Sequence, residues 1–263
     1  MMIEAGVLEN PKVDAAMMLH VFTGIPAPAG LALIPNSGEV TSAADIFTIK
    51  VHGKGGHGAM THMTVDPLNI ISHIHIALQE INARELPSAD NAVLTVGTIN
   101  GGDAPNIIPD TASLRGTIRT YSKENRELIK RRVEEISTGI ATTFRGSAEV
   151  EYPVECPSTI NDCKLVEQYA EYSKMLLEPH LITNISDFAG GILAKLAGSE
   201  DFAYISELVP SVLGILSASS ADDKCKYLLH HPKAFFSEEA LYVGAAIYAN
   251  TAIEWLKNNR YMA

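Results

Sequence analysis

The chain has 263 residues, which at roughly 150 residues per domain amounts to just under two domains. Its 46% hydrophobic and 19% charged content is that of a globular protein, not a disordered or fibrous one. The 20 Lys and Arg against 31 Asp and Glu leave a net charge of −11, which repels phosphate backbones and anionic lipid, so no nucleic acid and no membrane surface is expected as a partner.

Residues 13–22 (Val-Asp-Ala-Ala-Met-Met-Leu-His-Val-Phe) form a short continuous apolar run. That pattern predicts a strand buried on both faces, as in a parallel sheet. Gly24, Pro26, Pro28 and Gly30 then mark a loop. A different rhythm begins near Asp45. Phe47, Ile49 and Val51 alternate with Thr48 and Lys50, which is strand spacing. A glycine-rich loop follows, from His52 to Gly58. Asp66-Pro67 predicts a helix start, and Ile70, Ile71, Ile74, Leu78 and Ile81 continue at helical spacing. Ala92–Ile99 reads as a strand and Thr111–Thr120 alternates again, with Arg115, Thr117 and Arg119 on the polar face. Ser122 is placed to cap a helix carrying Ile129, Val133, Ile136 and Ile140. Ala148, Val150, Tyr152 and Val154 alternate in a last strand.

The order β-α-β-β-α-β over residues 45–155 is that of a ferredoxin-like domain with one open sheet face. Beyond it, Leu165, Tyr169, Tyr172 and Leu176 predict a helix and Val212–Leu216 a short apolar strand. Ser199 is expected to cap a helix that starts at Glu200, and Ser237-Glu238-Glu239 to open a long one through Leu256. The fold class is therefore α/β, with residues 1–44 and 156–263 as two parts of one domain interrupted by the insert 45–155. No apolar run approaches the ~18 residues of a membrane span, and the first residues show no signal peptide. Cys156, Cys163 and Cys225 are too scattered for a disulfide framework, which predicts reduced thiols in a cytoplasmic protein.

Histidines are the main candidates for chemistry. His20 ends the first strand, the side on which open α/β sheets bind ligands, so it reads either as a metal donor or as a hydrogen-bonded core residue. Of the pair His230-His231, at most one can reach a single site. The loop around His57 lacks the Ser or Thr that follows Lys in a phosphate-binding loop. It reads as a flexible turn or as a scaffold presenting one donor. His73, His75 and His180 read as structural or surface residues.

Five segments resemble, in order, the dinuclear metallo-aminoacylase and carboxypeptidase family, in particular its hippurate hydrolase, auxin-conjugate amidohydrolase and N-acetyl-diaminopimelate deacetylase branch. They are LENPKVDAAMMLHV, HGKGGHGAMTHMTVDP, VGTINGGDAPNIIPDTASLRGTIRT, GSEDFAY and LLHHPKAFFSEEAL. The resemblance implies a zinc-exopeptidase-like catalytic domain interrupted by a ferredoxin-like lid and dimerisation domain, working as a homodimer. It implies two divalent metal ions, manganese or zinc, with cobalt and nickel as alternatives. His20 and His230 would be metal ligands. His57 would polarise the scissile carbonyl, commonly in the neighbouring subunit's site. Asn106 and Arg119 would hold the substrate carboxylate, and Glu200 would have a substrate-side role. The implied activity is metal-dependent hydrolysis of N-acyl amino acids or small peptides.

The resemblance implies a Cys-Gly-His-Asp-type motif and a Glu-Glu pair that supply further metal ligands and the general base; the first does not occur in this chain, and Glu238-Glu239 sits in the C-terminal helix start, outside the family's context. Thr61 also stands where a proline is usual before His62. The expectation is an N-terminally truncated member with an incomplete metal site that is inactive alone. The alternatives are a non-catalytic ferredoxin-like module, dimerising or binding a small molecule, and a structural partner that completes its sheet with another chain.

Overall fold

The computed structural model describes residues 2–191, 193, 195–220 and 223–259. The strands in chain order are β1 (Ala16–Phe22), β2 (Ala32–Ile34), β3 (Gly38–Glu39), β4 (Asp45–His52), β5 (Gly56–His57), β6 (Ala92–Asn100), β7 (Ile107–Ile108), β8 (Thr111–Thr120), β9 (Ser147–Val154), β10 (Ile160–Asn161), β11 (Ile182–Asn184) and β12 (Ser211–Ser217). The helices are α1 (Pro67–Glu80), α2 (Lys123–Thr143), α3 (Cys163–Leu176), α4 (Ala203–Ser206) and α5 (Glu239–Asn258). The chain divides into two compact units. Unit 1 takes Met1–Thr41, Thr159–Leu196 and Glu200–Ala263, and unit 2 takes Ser42–Ser158 with Ala197–Ser199.

Unit 2 is a four-stranded antiparallel sheet in the order β6-β8-β4-β9. Alternation decides its two faces. Phe47, Ile49, Val51, Leu114 and Ile118 turn inward and pack on Ile70, Ile74 and Leu78 of α1 and Ile129 and Val133 of α2. The Asp66 carboxylate caps α1 by accepting from Leu68 N–H, and Ser122 Oγ caps α2 by accepting from Asn125 N–H. Asp45 is fully buried and accepts two hydrogen bonds from Arg126, at 2.7 and 2.6 Å, so its charge is matched where water cannot reach it. Gly116 has to be glycine in this packing, because a Cβ there would lie 2.3 Å from the Thr95 carbonyl.

Unit 1 is built on a sheet in the order β1-β12-β2-β11, with β1 parallel and β2 antiparallel to β12. All seven residues of β12 are buried. Val212 and Leu216 face α3 and α5, and Leu213 and Ile215 face the opposite side with Phe202 and Ile185. β1 differs from its reading as a strand buried on both faces: all seven of its residues are only partly covered. The physical reason is position. β1 pairs with β12 along one edge and, among the described residues, with no strand along the other. The Tyr248 hydroxyl accepts the Leu19 N–H at 2.7 Å. The expected cap at Ser199 is also corrected: α4 starts at Ala203, with Phe202 at its N-cap position and no side-chain cap. Among the described residues no helix is long and apolar enough to cross a membrane.

Candidate functional site

In unit 1 the candidate residues hang on two segments that are tied together. Thr23, just past β1, is fully buried, and its hydroxyl donates to the Phe235 carbonyl at 2.6 Å. Gly24 follows with φ of 74°, and a Cβ there would lie 2.6 Å from the Tyr227 carbonyl carbon. Only glycine permits that turn and that approach. The end of β1 is thereby fixed against the loop that carries His230.

The His20 ring is oriented by its own backbone neighbourhood. Its Nδ1 lies 3.0 Å from the Val21 carbonyl, so the neutral ring donates there and leaves a lone pair on Nε2. Phe22 packs beside the ring at 5.1 Å. Nε2 faces Glu200 Oε2 at 3.5 Å. Burial pushes the Glu200 carboxyl above its ordinary value and the hydrogen bond with Asp201 adds to this, while His20 opposes it. Two basic atoms facing each other need a proton or a cation between them, and a second-sphere carbonyl on the far ring nitrogen is the arrangement of a metal-binding histidine.

His230 is exposed and has φ of 66°, a left-handed conformation that a histidine adopts at some cost. Its neighbour His231 is engaged elsewhere. The His231 ring stacks on Tyr227 at 4.2 Å, and its Nδ1 accepts the Lys233 N–H. Among the described residues no three His, Cys, Asp or Glu side chains converge to hold a metal ion. The donors among the described residues therefore do not compose a two-metal site.

In unit 2 the structure brings His57 and Asn106 together and leaves Arg119 apart. β5 and β7 pair Gly56 with Ile108 and His57 with Ile107. The Gly58 N–H donates to the Asn106 carbonyl at 2.9 Å. Asp110 Oδ1 accepts the Gly55 N–H at 2.8 Å and locks the glycine loop, a role with no signal in the sequence pattern. His57 is exposed, and its Nδ1 accepts the Ala59 N–H at 3.1 Å. The neutral ring then carries its proton on Nε2, as an outward donor. His52 ends β4 with its Nε2 3.5 Å from Glu149. Arg119 lies near the far end of β8, opposite Val93. From Thr111 to Arg119 is eight residues of extended strand, roughly 26 Å. The Arg119 Nη1 is buried without a hydrogen-bond partner among the described residues.

Comparison with known proteins adds a framework. Residues 44–141 match the family described as the peptidase dimerisation domain. An IAA-amino acid hydrolase ILR1-like 2 of Arabidopsis thaliana is 31% identical over 97% of this chain, which spans 56% of that protein. An N-acetyldiaminopimelate deacetylase of Bacillus subtilis is 34% identical over 91% of this chain and is covered over 60% of its own length. A crystal structure of a Bacillus subtilis dinuclear metal-binding peptidase is 26% identical, with a TM-score of 0.72, and covers 97% of this chain and 60% of its own. The chain thus spans well under two thirds of the relatives it matches.

Proposed function

This chain belongs to the M20 peptidase family, and on that premise we propose that it serves hydrolysis of the amide bond of N-acyl amino acids or small peptides, as a homodimer in which two copies contribute to each substrate. The two relatives' names share that chemistry, an amide on an amino acid. The observation that carries the reading is Arg119. A guanidinium nitrogen kept from water without an acceptor of its own suits a ligand carboxylate, which it can grip bidentately.

His57 supplies the second half. Its Nε2–H would donate to the carbonyl oxygen as negative charge develops there, an effect often worth about 3 kcal/mol for one donor. Asn106, pinned to the same loop, would add a hydrogen bond from its side-chain amide. The strand length between Asn106's end of β8 and Arg119 exceeds a small N-acyl amino acid. His57 and Asn106 of one copy would therefore act on a substrate held by Arg119 of another, through the dimerisation domain. His20 and His230 are the donors this chain would offer to a divalent ion, and Glu200 the acid beside His20. Imidazole binds several divalent first-row metals, zinc and nickel more tightly than manganese. A divalent ion held there would supply an activated water. The described residues alone do not compose a two-metal site.

The test is calorimetric titration of the chain with N-acetylglycine and with N-acetylglycinamide. The acid binds, and both the amide and the Arg119→Ala chain bind about tenfold or more weakly. Equal affinity for acid and amide overturns the reading. Where turnover is measured with manganese or zinc, His57→Ala lowers kcat by about 10²–10³. Mixing His57→Ala with Arg119→Ala chains restores part of it, because one site of a mixed dimer then carries neither change. A chain that binds the acid and turns nothing over is instead a binding module.

A further inference from the structure

Asp110 stands where the sheet of unit 2 hands over to the glycine loop. The β4–β8 ladder ends with His52 opposite Thr111. One residue beyond, the Asp110 carbonyl accepts the Gly53 N–H at 2.8 Å, and its carboxylate reaches on to accept the Gly55 N–H at 2.8 Å. Between these two bonds Lys54 exchanges backbone hydrogen bonds with Val65. The loop then enters β5, which is only Gly56 and His57, and the Gly58 N–H closes it on the Asn106 carbonyl. Space is as restricted as the hydrogen bonding. A Cβ on Gly55 would lie 2.8 Å from the Ile108 carbonyl oxygen, and one on Gly58 3.0 Å from that of Asn106. Asp110 is exposed, and among the described residues no ion pair engages it, so its carboxylate serves the Gly55 bond alone.

We propose that Asp110 is the positioning residue of His57: its carboxylate holds the His57 Nε2–H in a fixed direction as a donor, without touching substrate. The inference rests on the function proposed above, in which that donor meets the scissile carbonyl. Four of residues 53–58 are glycine, the residue with the most backbone freedom to lose, so the loop stays open unless bonds from outside hold it. A pair of two-residue strands is too short to do so by itself. A hydrogen bond to a carboxylate is of the stronger kind, and this one falls two residues before His57. The bond from Ala59 N–H to the His57 ring fixes the ring only within its own turn. Asp110 fixes that turn against β8. The same strand carries Arg119, so the clamp joins the carbonyl donor to the strand that holds the carboxylate grip. A donor out of line by an ångström loses most of its effect on the developing oxyanion.

The experiment is nitrogen-15 relaxation of the full chain, read at His57, Gly58 and Ala59, in the parent and in Asp110→Ala, Asp110→Asn and Ser122→Ala. The parent loop should be ordered, with order parameters of about 0.8 or more, and Asp110→Ala should bring them below about 0.6. Asp110→Asn keeps an acceptor oxygen and should restore most of the order. Ser122→Ala removes the α2 cap and should leave the loop ordered, which separates positioning from a general loosening of unit 2. With N-acetylglycine and manganese, Asp110→Ala should lower kcat by about tenfold at unchanged KM, because Arg119 still holds the carboxylate, and Asp110→Asn should recover it. A disordered loop in the parent overturns the proposal, as does unchanged order in Asp110→Ala, or lost order with kcat unchanged. Where the chain neither binds nor turns over N-acetylglycine, the relaxation result decides: loop order that depends on Asp110 then leaves the clamp standing and defeats the amidohydrolase reading alone.

Discussion

Unit 2 closes its core with its own residues, whereas unit 1 leaves one strand half covered. In unit 2 every inward position of β4 is matched by a helix residue, and even the buried Asp45 has Arg126 on it. In unit 1 two adjacent strands of similar apolar composition differ: β12 is wholly buried and β1 is partly exposed along its length. The difference teaches that a continuous apolar run reports what a strand can tolerate. What it meets is set by its place in the sheet.

The largest expected effect tests how far unit 2 depends on its buried pair. Arg126→Ala leaves the Asp45 carboxylate uncompensated in the core, and should cost about 3–5 kcal/mol of unit 2 stability. Urea unfolding followed by amide signals of β4 and β8 measures it. A loss below about 1 kcal/mol would mean that water reaches Asp45 and that the closed core is not closed.

The contrast within unit 1 can be broken with one residue type. Val212 in β12 is fully buried, and Val21 in β1 is only partly so. Val212→Ala should cost about 2 kcal/mol or more, through lost transfer energy and a cavity, and Val21→Ala under about 1. Equal losses would show β1 to be covered in solution, by a second copy or another chain.

Period and capping made much of unit 2 legible. Thr111–Thr120 was delimited by alternation alone, and Asp66-Pro67 and Ser122 announced their helices, because one buried face imposes a strict period and a cap is a local event. The half-covering of β1 was not legible, since it depends on which strands are neighbours. Nor was the pairing of His57 with Ile107, which brings His57 beside Asn106, since two-residue strands are too short to show a period. The αL histidine His230 and the stack of His231 on Tyr227 are likewise tertiary events with no periodic signature.

Caps give a smaller comparison, one for each unit. Asp66→Ala removes the acceptor for Leu68 N–H in unit 2, and Asp162→Ala the acceptor for Leu165 N–H in unit 1. Each should cost about 1 kcal/mol. A clearly smaller cost at Asp162 would place α3 among the elements that fray before the sheet of unit 1 opens, as amide exchange would show.

The smallest effect is electrostatic and sits at the start of α2. The Ser122 hydroxyl donates to Glu124 Oε2 at 2.8 Å and holds that carboxyl below its ordinary value of 4.5, with the helix-end backbone and Lys123 acting in the same direction. A carboxyl depressed in the folded state stabilises it above the unfolded value, and the contribution is lost as pH falls through the lowered folded value. The window therefore lies below pH 4.5. Ser122→Ala should move the Glu124 titration up toward 4.5, read by carboxyl carbon NMR, and should also remove the cap on Asn125 N–H. Glu124→Gln keeps that cap and removes the titration. If the acid limb of unit 2 stability flattens in both variants, the hydroxyl–carboxylate bond is the source; if it persists in Glu124→Gln, the pH dependence belongs to another carboxylate of the unit.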